Sequence, residues 1–181
     1  SVSRDMSMKL IEVATQRFVD NITSITPGAL KGGLISVDRH PTKDELVVGG
    51  SDGVPKIFRM HRDPSKPRQI GDDFNLIRAL EGMPGRVFAV QYSSDGSRVV
   101  AATSNAGQGE LRVYNADDGK LISKFDGQPG PLYSATFSPD GQTIAAGGFL
   151  GQVLLVDSTT GKLKTQFVPV PQDQLAAGGA Q

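Results

Sequence analysis

Residues 87–104 read VFAVQYSSDGSRVVAATS, and residues 132–149 read LYSATFSPDGQTIAAGGF. In both stretches a short apolar run is followed by serine or proline, by Asp-Gly, and by a second apolar run that ends in small residues. Such residues favour a tight turn, because proline presets φ, aspartate bonds its own backbone and glycine accepts a positive φ. The flanking runs are short and rich in β-formers, so each stretch predicts two strands joined by a turn.

The same pattern recurs along the chain. A third, more diverged copy is LISVDRHPTKDELVVGGS at residues 34–51. A further strand-like block follows each copy, and a fourth example of this block stands alone near the start. The blocks are SMKLIEV at 7–13, VPKIFRM at 54–60, ELRVYNA at 110–116 and QVLLVDS at 152–158. With the turns at 117–120 and 159–162, the repeat predicts four short antiparallel strands in about 45 residues.

Composition narrows the functional classes. The chain has 181 residues, with 19 Lys and Arg against 19 Asp and Glu, so it lacks the basic excess of a nucleic-acid binder. It has no cysteine, which removes disulfides, thiol nucleophiles and thiolate metal sites. No apolar run is long enough for a membrane-spanning helix, so we expect neither nucleic-acid binding nor membrane insertion.

These repeats resemble those of the WD-repeat β-propeller family over nearly all of residues 1–170. The resemblance lies in the apolar strand, the Ser-Pro-Asp-Gly turn, and a third strand that ends Val156-Asp157. The sequence departs from the family in lacking its tryptophan and the Gly-His that precedes each first strand. Asp5 and Asp52 stand where the family's aspartate bonds that histidine. The residues at the tryptophan position are Ile11, Phe58, Tyr114 and Val156.

Residues 26–33 and 70–75 are similar to exported, planctomycete-type bacterial WD-repeat proteins, which are often joined to a c-type cytochrome domain. This resemblance implies a periplasmic or cell-surface location, and a cytoplasmic one stays open. It also implies a second functional class, an accessory propeller domain of an exported redox complex. No haem motif lies in the chain.

The repeats predict an all-β, partial propeller. Fourteen expected strands make about three and a half blades, whereas a propeller ring closes with roughly four to eight blades. The resemblance implies a ring of seven blades. We expect the other blades from missing sequence, a second chain or a cleaved partner, because an open repeat array exposes apolar faces. The expected units are 1–22 (outer two strands of an incomplete blade), 23–80 (a blade with a long insertion), 81–126, 127–168 and a linker-like tail, 169–181.

The main functional hypothesis is a protein-interaction scaffold that presents loops at one end of the blades, the top face. Phe149 and Leu150 replace the Ser-Asp pair of residues 51–52 and favour an apolar interaction patch. Lys31 and Arg86 lie in neighbouring loops of the same face. The expected top-face loops are near 4–5, 27–31, 52–53, 83–86, 128–131 and 149–151.

Two further segments have alternative interpretations. Arg59 and Arg62 belong to a basic stretch over residues 56–68, which is either a docking patch or, more simply, a solvated outer strand and loop. Asp72, Asp73 and Phe74 lie in an insertion, which either contacts a partner or packs over a blade edge.

The residues predict no catalytic, metal or cofactor site. His40 and His61 are the only histidines, and neither has a third ligand at fixed spacing, so we expect turn-capping or solvated roles. Gly49-Gly50-Ser51-Asp52-Gly53 matches a nucleophile elbow, but the next segment is a strand rather than a helix. A metal in a central channel would need converging carboxylates, and Asp38 is the only one on the expected innermost strands.

Overall fold

The computed structural model describes residues 1–23, 30–65, 73 and 75–169. These residues form fourteen strands in four antiparallel sheets, one of two strands and three of four, and include no helix. The predicted all-β fold of about three and a half blades is therefore confirmed. In this part of the chain no helix is long and apolar enough to cross a bilayer.

Every strand pairs with its neighbour along the chain, so each sheet is a meander. The half sheet contains β1 (Lys9–Ile11) and β2 (Phe18–Asn21). The first sheet contains β3 (Leu34–Arg39), β4 (Glu45–Gly50), β5 (Lys56–Arg59) and β6 (Leu76–Ala79). The second sheet contains β7 (Arg86–Tyr92), β8 (Arg98–Asn105), β9 (Gln108–Asn115) and β10 (Leu121–Pro129). The third sheet contains β11 (Leu132–Phe137), β12 (Thr143–Gly148), β13 (Val153–Asp157) and β14 (Leu163–Phe167).

Successive sheets pack face to face, and among the described residues the core forms three apolar clusters between them. This explains why the middle strands are apolar on both faces, since each lies between two neighbouring sheets. Val99 and Ala101 of β8 join the cluster with the first sheet, whereas Val100 and Ala102 join the cluster with the third. Met8 and Phe58 belong to the cluster between the half sheet and the first sheet. Val47 and Val90 belong to the cluster between the first and second sheets, and Leu111 and Leu154 to the cluster between the second and third.

The Ser-Asp-Gly turns form as the sequence predicts. In the turn between β7 and β8, Asp95 accepts hydrogen bonds from the Ser93 hydroxyl at 2.5 Å and the Ser97 N–H at 3.0 Å. These donors lower the pKa of Asp95 to about 2, with the Ser93 hydroxyl as the largest cause. Gly96 adopts φ +73° in the same turn. Asp140 accepts the equivalent bonds from Ser138 and Gln142 in the next copy.

His40 caps the diverged turn of the first copy, as expected. Its Nδ1 accepts hydrogen bonds from the N–H groups of Thr42 at 3.1 Å and Lys43 at 2.9 Å. The ring is buried and packs edge-on against Tyr92 at 4.9 Å between centroids. The histidine therefore replaces the serine of the other turns and also contacts the second sheet.

Side chains on the first strand of one sheet bond the backbone of the next sheet's first strand. The Val90 N–H donates to Ser36 Oγ at 3.1 Å, and the Tyr92 N–H donates to Asp38 Oδ2 at 2.8 Å. One sheet later, the Phe137 N–H donates to Gln91 Oε1 at 2.8 Å. One oxygen of Asp38, the single carboxylate on the expected innermost strands, therefore joins two neighbouring sheets.

Candidate interaction surfaces

One repeat position lies on the third strand of each complete sheet and on β1 of the half sheet. It is buried in the three complete sheets and exposed in the half sheet. Phe58, Tyr114 and Val156 occupy it in the complete sheets and are at most 1% exposed, because each faces the preceding sheet. Ile11 occupies it in the half sheet and is 46% exposed. Within the described residues no sheet faces Ile11, so this side of the half sheet is open.

A groove of about 500 Å³ lies beside the half sheet, where the half sheet borders residues that follow β5 of the first sheet. Leu10 and Ile11 of β1 line it together with the exposed Phe18 and Val19 of β2, and Leu10 also packs against the cluster shared with the first sheet. Glu12, Arg17 and His61 also line the groove. The open side itself is marked by the exposed side chains of Ile11 and Phe18, since grouped apolar side chains on a surface are typical of interaction sites.

The third sheet has a second open face. In the second sheet, Leu111, Val113 and Phe125 pack against the third sheet. The strand register places Leu111 beside Phe125 and, in the third sheet, Val153 beside Phe167, so the positions are equivalent. Phe167 is 48% exposed, and Val153 is only half-buried. The same apolar positions that close one interface are therefore uncovered on the third sheet.

Phe149 and Leu150 lie together on the turn between β12 and β13, where the sequence places them. Phe149 is 72% exposed, while its N–H donates to the carbonyl of Pro131 at 3.0 Å. Leu150 is 46% exposed and leans over Gly130, where an added Cβ would lie 2.8 Å from Leu150 Cγ. The turn is thus held in place by its backbone while its apolar side chains face solvent.

Lys31 and Arg86 lie at the same end of the two preceding sheets. The Lys31 N–H is 3.4 Å from Asp52 Oδ2 on the turn between β4 and β5. Arg86 begins β7 and pairs with Ser104, next to the turn between β8 and β9. Both side chains are exposed. The structure therefore brings Phe149 and Leu150 together on one turn and distributes Lys31 and Arg86 over neighbouring sheets.

The basic stretch is not one solvated patch. Lys56 is buried, and its ammonium lies 2.5 Å from Asp52 Oδ2 and 3.2 Å from the Val54 carbonyl. Arg59 is exposed, with an Nη1 atom 3.4 Å from Asp63 Oδ2. Arg62 is half-buried and also has an interaction partner. Lys66 and Arg68 lie outside the described residues, so a docking role for Arg59 and Arg62 stays a prediction.

Of the insertion's candidate residues, only Asp73 is described. It is half-buried, it has an interaction partner, and its carbonyl accepts the Leu76 N–H at 2.8 Å where β6 begins. Asp72 and Phe74 lie outside the described residues. A partner-binding role for the three stays a prediction.

Sequence reasoning missed a buried charged network on β9. The Arg112 guanidinium bonds Glu110 at 2.5 Å, Glu81 at 2.9 Å and the Gly82 carbonyl at 2.9 Å. The Tyr114 hydroxyl donates to the Glu81 carbonyl at 2.8 Å, and burial raises the pKa of Tyr114 to about 12. These contacts fix the connection between the first and second sheets. Alternating charged and apolar residues in Glu-Leu-Arg-Val-Tyr were the available signal.

Arg112 and Lys56 occupy equivalent positions, since Arg112 pairs with Ala101 and Lys56 with Val48 on the neighbouring second strands. In the third sheet this position is Leu154, which is buried and pairs with Ala146. Each of these cations is paired with a carboxylate, which offsets the cost of burying its charge. Among the described residues no group of three or more acidic or histidine side chains is placed to hold a metal ion.

The comparison with protein families agrees with the repeat pattern. Residues 119–157 match the family described as WD40, WD domain, G-beta repeat. No curated protein matches the chain. The matched stretch includes β11, β12 and β13 of the third sheet and also β10, the outer strand of the second. The chain is thus similar to WD repeats over this stretch, in which one sequence repeat spans parts of two sheets.

Proposed function

We propose that the chain is a non-catalytic protein-interaction scaffold, and that it forms part of a β-propeller whose other blades cover its two open faces. The single observation that carries this proposal is the repeated position that is buried in three sheets and exposed at Ile11. The fold buries this position wherever a neighbouring sheet is present. Its exposure at Ile11 therefore indicates that a neighbouring sheet is missing there.

The size of the exposed apolar surface supports ring completion. Fully burying a large apolar side chain contributes roughly 1.5–3 kcal/mol, so several such side chains on each open face leave a substantial stabilisation unrealised. Stacked repeats gain their stability from neighbours, and terminal repeats ordinarily carry a polar outer face. The open faces instead expose large apolar side chains, Ile11 and Phe18 on the half sheet and Phe167 on the third sheet.

The scaffold's partner surface is the end of the sheets that carries Phe149 and Leu150. A rigid sheet holds this turn, and the exposed aromatic ring offers contact area without an unsatisfied polar group. Similarity to WD repeats supports an interaction role, since the fold alone does not determine function. Lys31 and Arg86 at the same end add positive charge and favour an acidic rim on the partner.

The first experiment is a native mass measurement of the protein purified from its source. We expect the polypeptide, or a tightly bound second chain, to contribute further four-stranded repeats that complete the ring. A stable monomer of these residues alone, with no tendency to associate, would contradict the proposal.

A matched pair of variants tests whether the open face of the third sheet is the contact. Leu154 and Val156 pack against the second sheet, so Leu155 between them lies on the open face. Leu155→Asp places a carboxylate on this face, and Thr159→Asp places one on the exposed turn of the same sheet. We expect Leu155→Asp to weaken ring completion by at least about tenfold, because an unpaired buried charge costs several kcal/mol. Thr159→Asp should leave it unchanged. Equal behaviour of both variants in native mass and thermal unfolding would remove this face from the proposal.

A further inference from the structure

On its open face the third sheet has the same pair of residues, a serine and a glycine, that the first sheet uses to contact the second. The second sheet has a different pair at this place. In the first sheet, Ser36 of β3 pairs with Gly49 of β4. In the third sheet, Ser134 of β11 pairs with Gly147 of β12 at the same place beside a register shift. The second sheet has Ala89 paired with Ala102 at this place.

The first sheet shows what the serine and glycine contact. Ser36 Oγ accepts the Val90 N–H at 3.1 Å. A Cβ added to Gly49 would lie 2.4 Å from Val87 Cγ1 and 2.9 Å from Val90 Cγ1, so the glycine makes room for two branched side chains. The serine therefore binds the backbone of the next strand while the glycine accepts its valines.

The second sheet makes a different contact. Its Ala102 takes the place of glycine, and the cluster there contains Leu132 and Ala135 of β11. These two residues stand at the positions of Val87 and Val90 in the aligned copies. The glycine of the first sheet therefore faces two valines of the next sheet. The alanine of the second sheet instead shares its cluster with a leucine and an alanine of the next sheet.

On the third sheet the corresponding space is empty. An added Cβ on Gly147 would have as its nearest neighbour only the Gln152 carbonyl oxygen, at 3.7 Å. Ser134 is exposed, and Thr136, at the position of Asp38, is exposed as well. The third sheet therefore exposes two hydroxyl oxygens and a glycine on its open face. At the equivalent positions, the first sheet places the oxygens of Ser36 and Asp38 and a glycine against β7.

We infer that the open face of the third sheet binds a four-stranded sheet whose first strand resembles β7, with valines or similar branched residues at the positions of Val87 and Val90. Ser134 Oγ accepts a backbone N–H of that strand, and Gly147 receives its branched side chains. The partner is selected by backbone N–H groups and by the size of two side chains. This inference rests on the proposed ring completion and specifies which kind of sheet follows.

Two insertions distinguish the kinds of sheet. A copy of residues 81–126, which begins with β7, is inserted between Phe167 and Val168 of the full chain. The matched control inserts a copy of residues 127–167, in which β11 is the first complete strand. We expect the first insertion to slow amide exchange in β12 and β13 by at least about tenfold and to raise the urea midpoint. The second insertion should protect these strands less.

Ser134→Ala then tests the hydrogen bond. In the chain with residues 81–126 inserted, we expect it to lower the folding equilibrium constant about threefold to tenfold, because a backbone N–H loses its acceptor. In the parent chain, where Ser134 faces solvent, it should have no measurable effect. Equal losses in both chains would overturn the inference.

The outcomes separate this inference from the proposed function. If both insertions protect β12 and β13 equally, sheets do cover this face but the β7-like specificity is wrong. If neither protects them, sheet addition at this face fails, and the ring-completion proposal is contradicted with it.

Discussion

Gly96 is required for two independent reasons at the turn between β7 and β8. Its φ of +73° lies in the left-handed region, which costs other residues about 1–2 kcal/mol. A Cβ at this position would also lie 2.3 Å from the His40 ring, which is buried and bonded to two backbone N–H groups. Gly107 has a similar φ of +82°, but an added Cβ there meets nothing within 4 Å.

These two glycines give a matched prediction. Gly107→Ala should cost about 1 kcal/mol of unfolding free energy from backbone strain alone. Gly96→Ala should cost clearly more, about 3 kcal/mol, because the His40 cap must also move. Urea unfolding of both variants measures the difference. Equal losses would show that the His40 contact does not constrain the turn.

The Asp95 carboxylate gives a prediction in pH. Its pKa of about 2 is depressed from the ordinary 3.8, so its contribution to stability is complete above about pH 4 and is lost as the pH falls through 2. Ser93→Ala removes the largest cause and should raise the pKa of Asp95. NMR titration of the carboxyl groups measures this, with Asp140 as the internal control. An unchanged Asp95 titration would contradict the assigned hydrogen bond.

At the scale of elements, the turn between β4 and β5 and the strand after it form one unit. Asp52 lies on the turn and Lys56 on β5, with side chains only 11% and 4% exposed. In the third sheet, Leu150 and Leu154 occupy the same two positions, so the fold accepts either a charged pair or an apolar pair. The two solutions share one backbone geometry.

A double-mutant cycle tests this equivalence. Asp52→Leu alone should destabilise the protein by about 3–5 kcal/mol, because it leaves the Lys56 ammonium buried without its partner. Adding Lys56→Leu should recover most of that loss. Urea unfolding of both single variants and the double variant gives the coupling energy. Additive losses in the double variant would show that the ion pair is not the source of the cost.

The turn between β12 and β13 supports a binding prediction. Because Phe149 is 72% exposed, Phe149→Ser with Leu150→Ser should change stability far less than it changes partner binding. We expect at least about a tenfold loss of affinity for the native top-face partner, typical of removing an apolar anchor. Calorimetric titration measures the affinity, and circular dichroism checks the fold. Unchanged affinity would exclude this pair as the contact.

Element positions were predictable from sequence, whereas the buried charges were not. The Ser-Asp-Gly turns and their flanking strands follow from local backbone preferences, which act within a few residues. Arg112, Lys56 and Asp38 are buried or engaged only because a neighbouring sheet or turn supplies a partner. Local sequence cannot display that partner, so the sequence places Lys56 only in a stretch that is either a docking patch or a solvated strand and loop.

For the whole molecule, the repeat pattern predicted both the number of sheets and the two open faces. The strand blocks predict three complete sheets and one incomplete sheet, and the described residues form these four sheets. Which kind of sheet each open face binds could be inferred only from the structure. It depends on which side chains on the first strand of one sheet reach the backbone of the first strand of the next sheet. Ser36 and Gln91 make these contacts from positions that differ in sequence from copy to copy.

The meander order of every sheet has a consequence for synthesis on the ribosome. Since each strand pairs only with its neighbour along the chain, all hydrogen bonds within a sheet join segments that emerge close together in time. A sheet can therefore form as soon as its fourth strand is released, and then serve as the template against which the next one docks. Throughout this growth the apolar face of the newest sheet is uncovered, so the nascent chain is exposed to aggregation until the next sheet packs against that face.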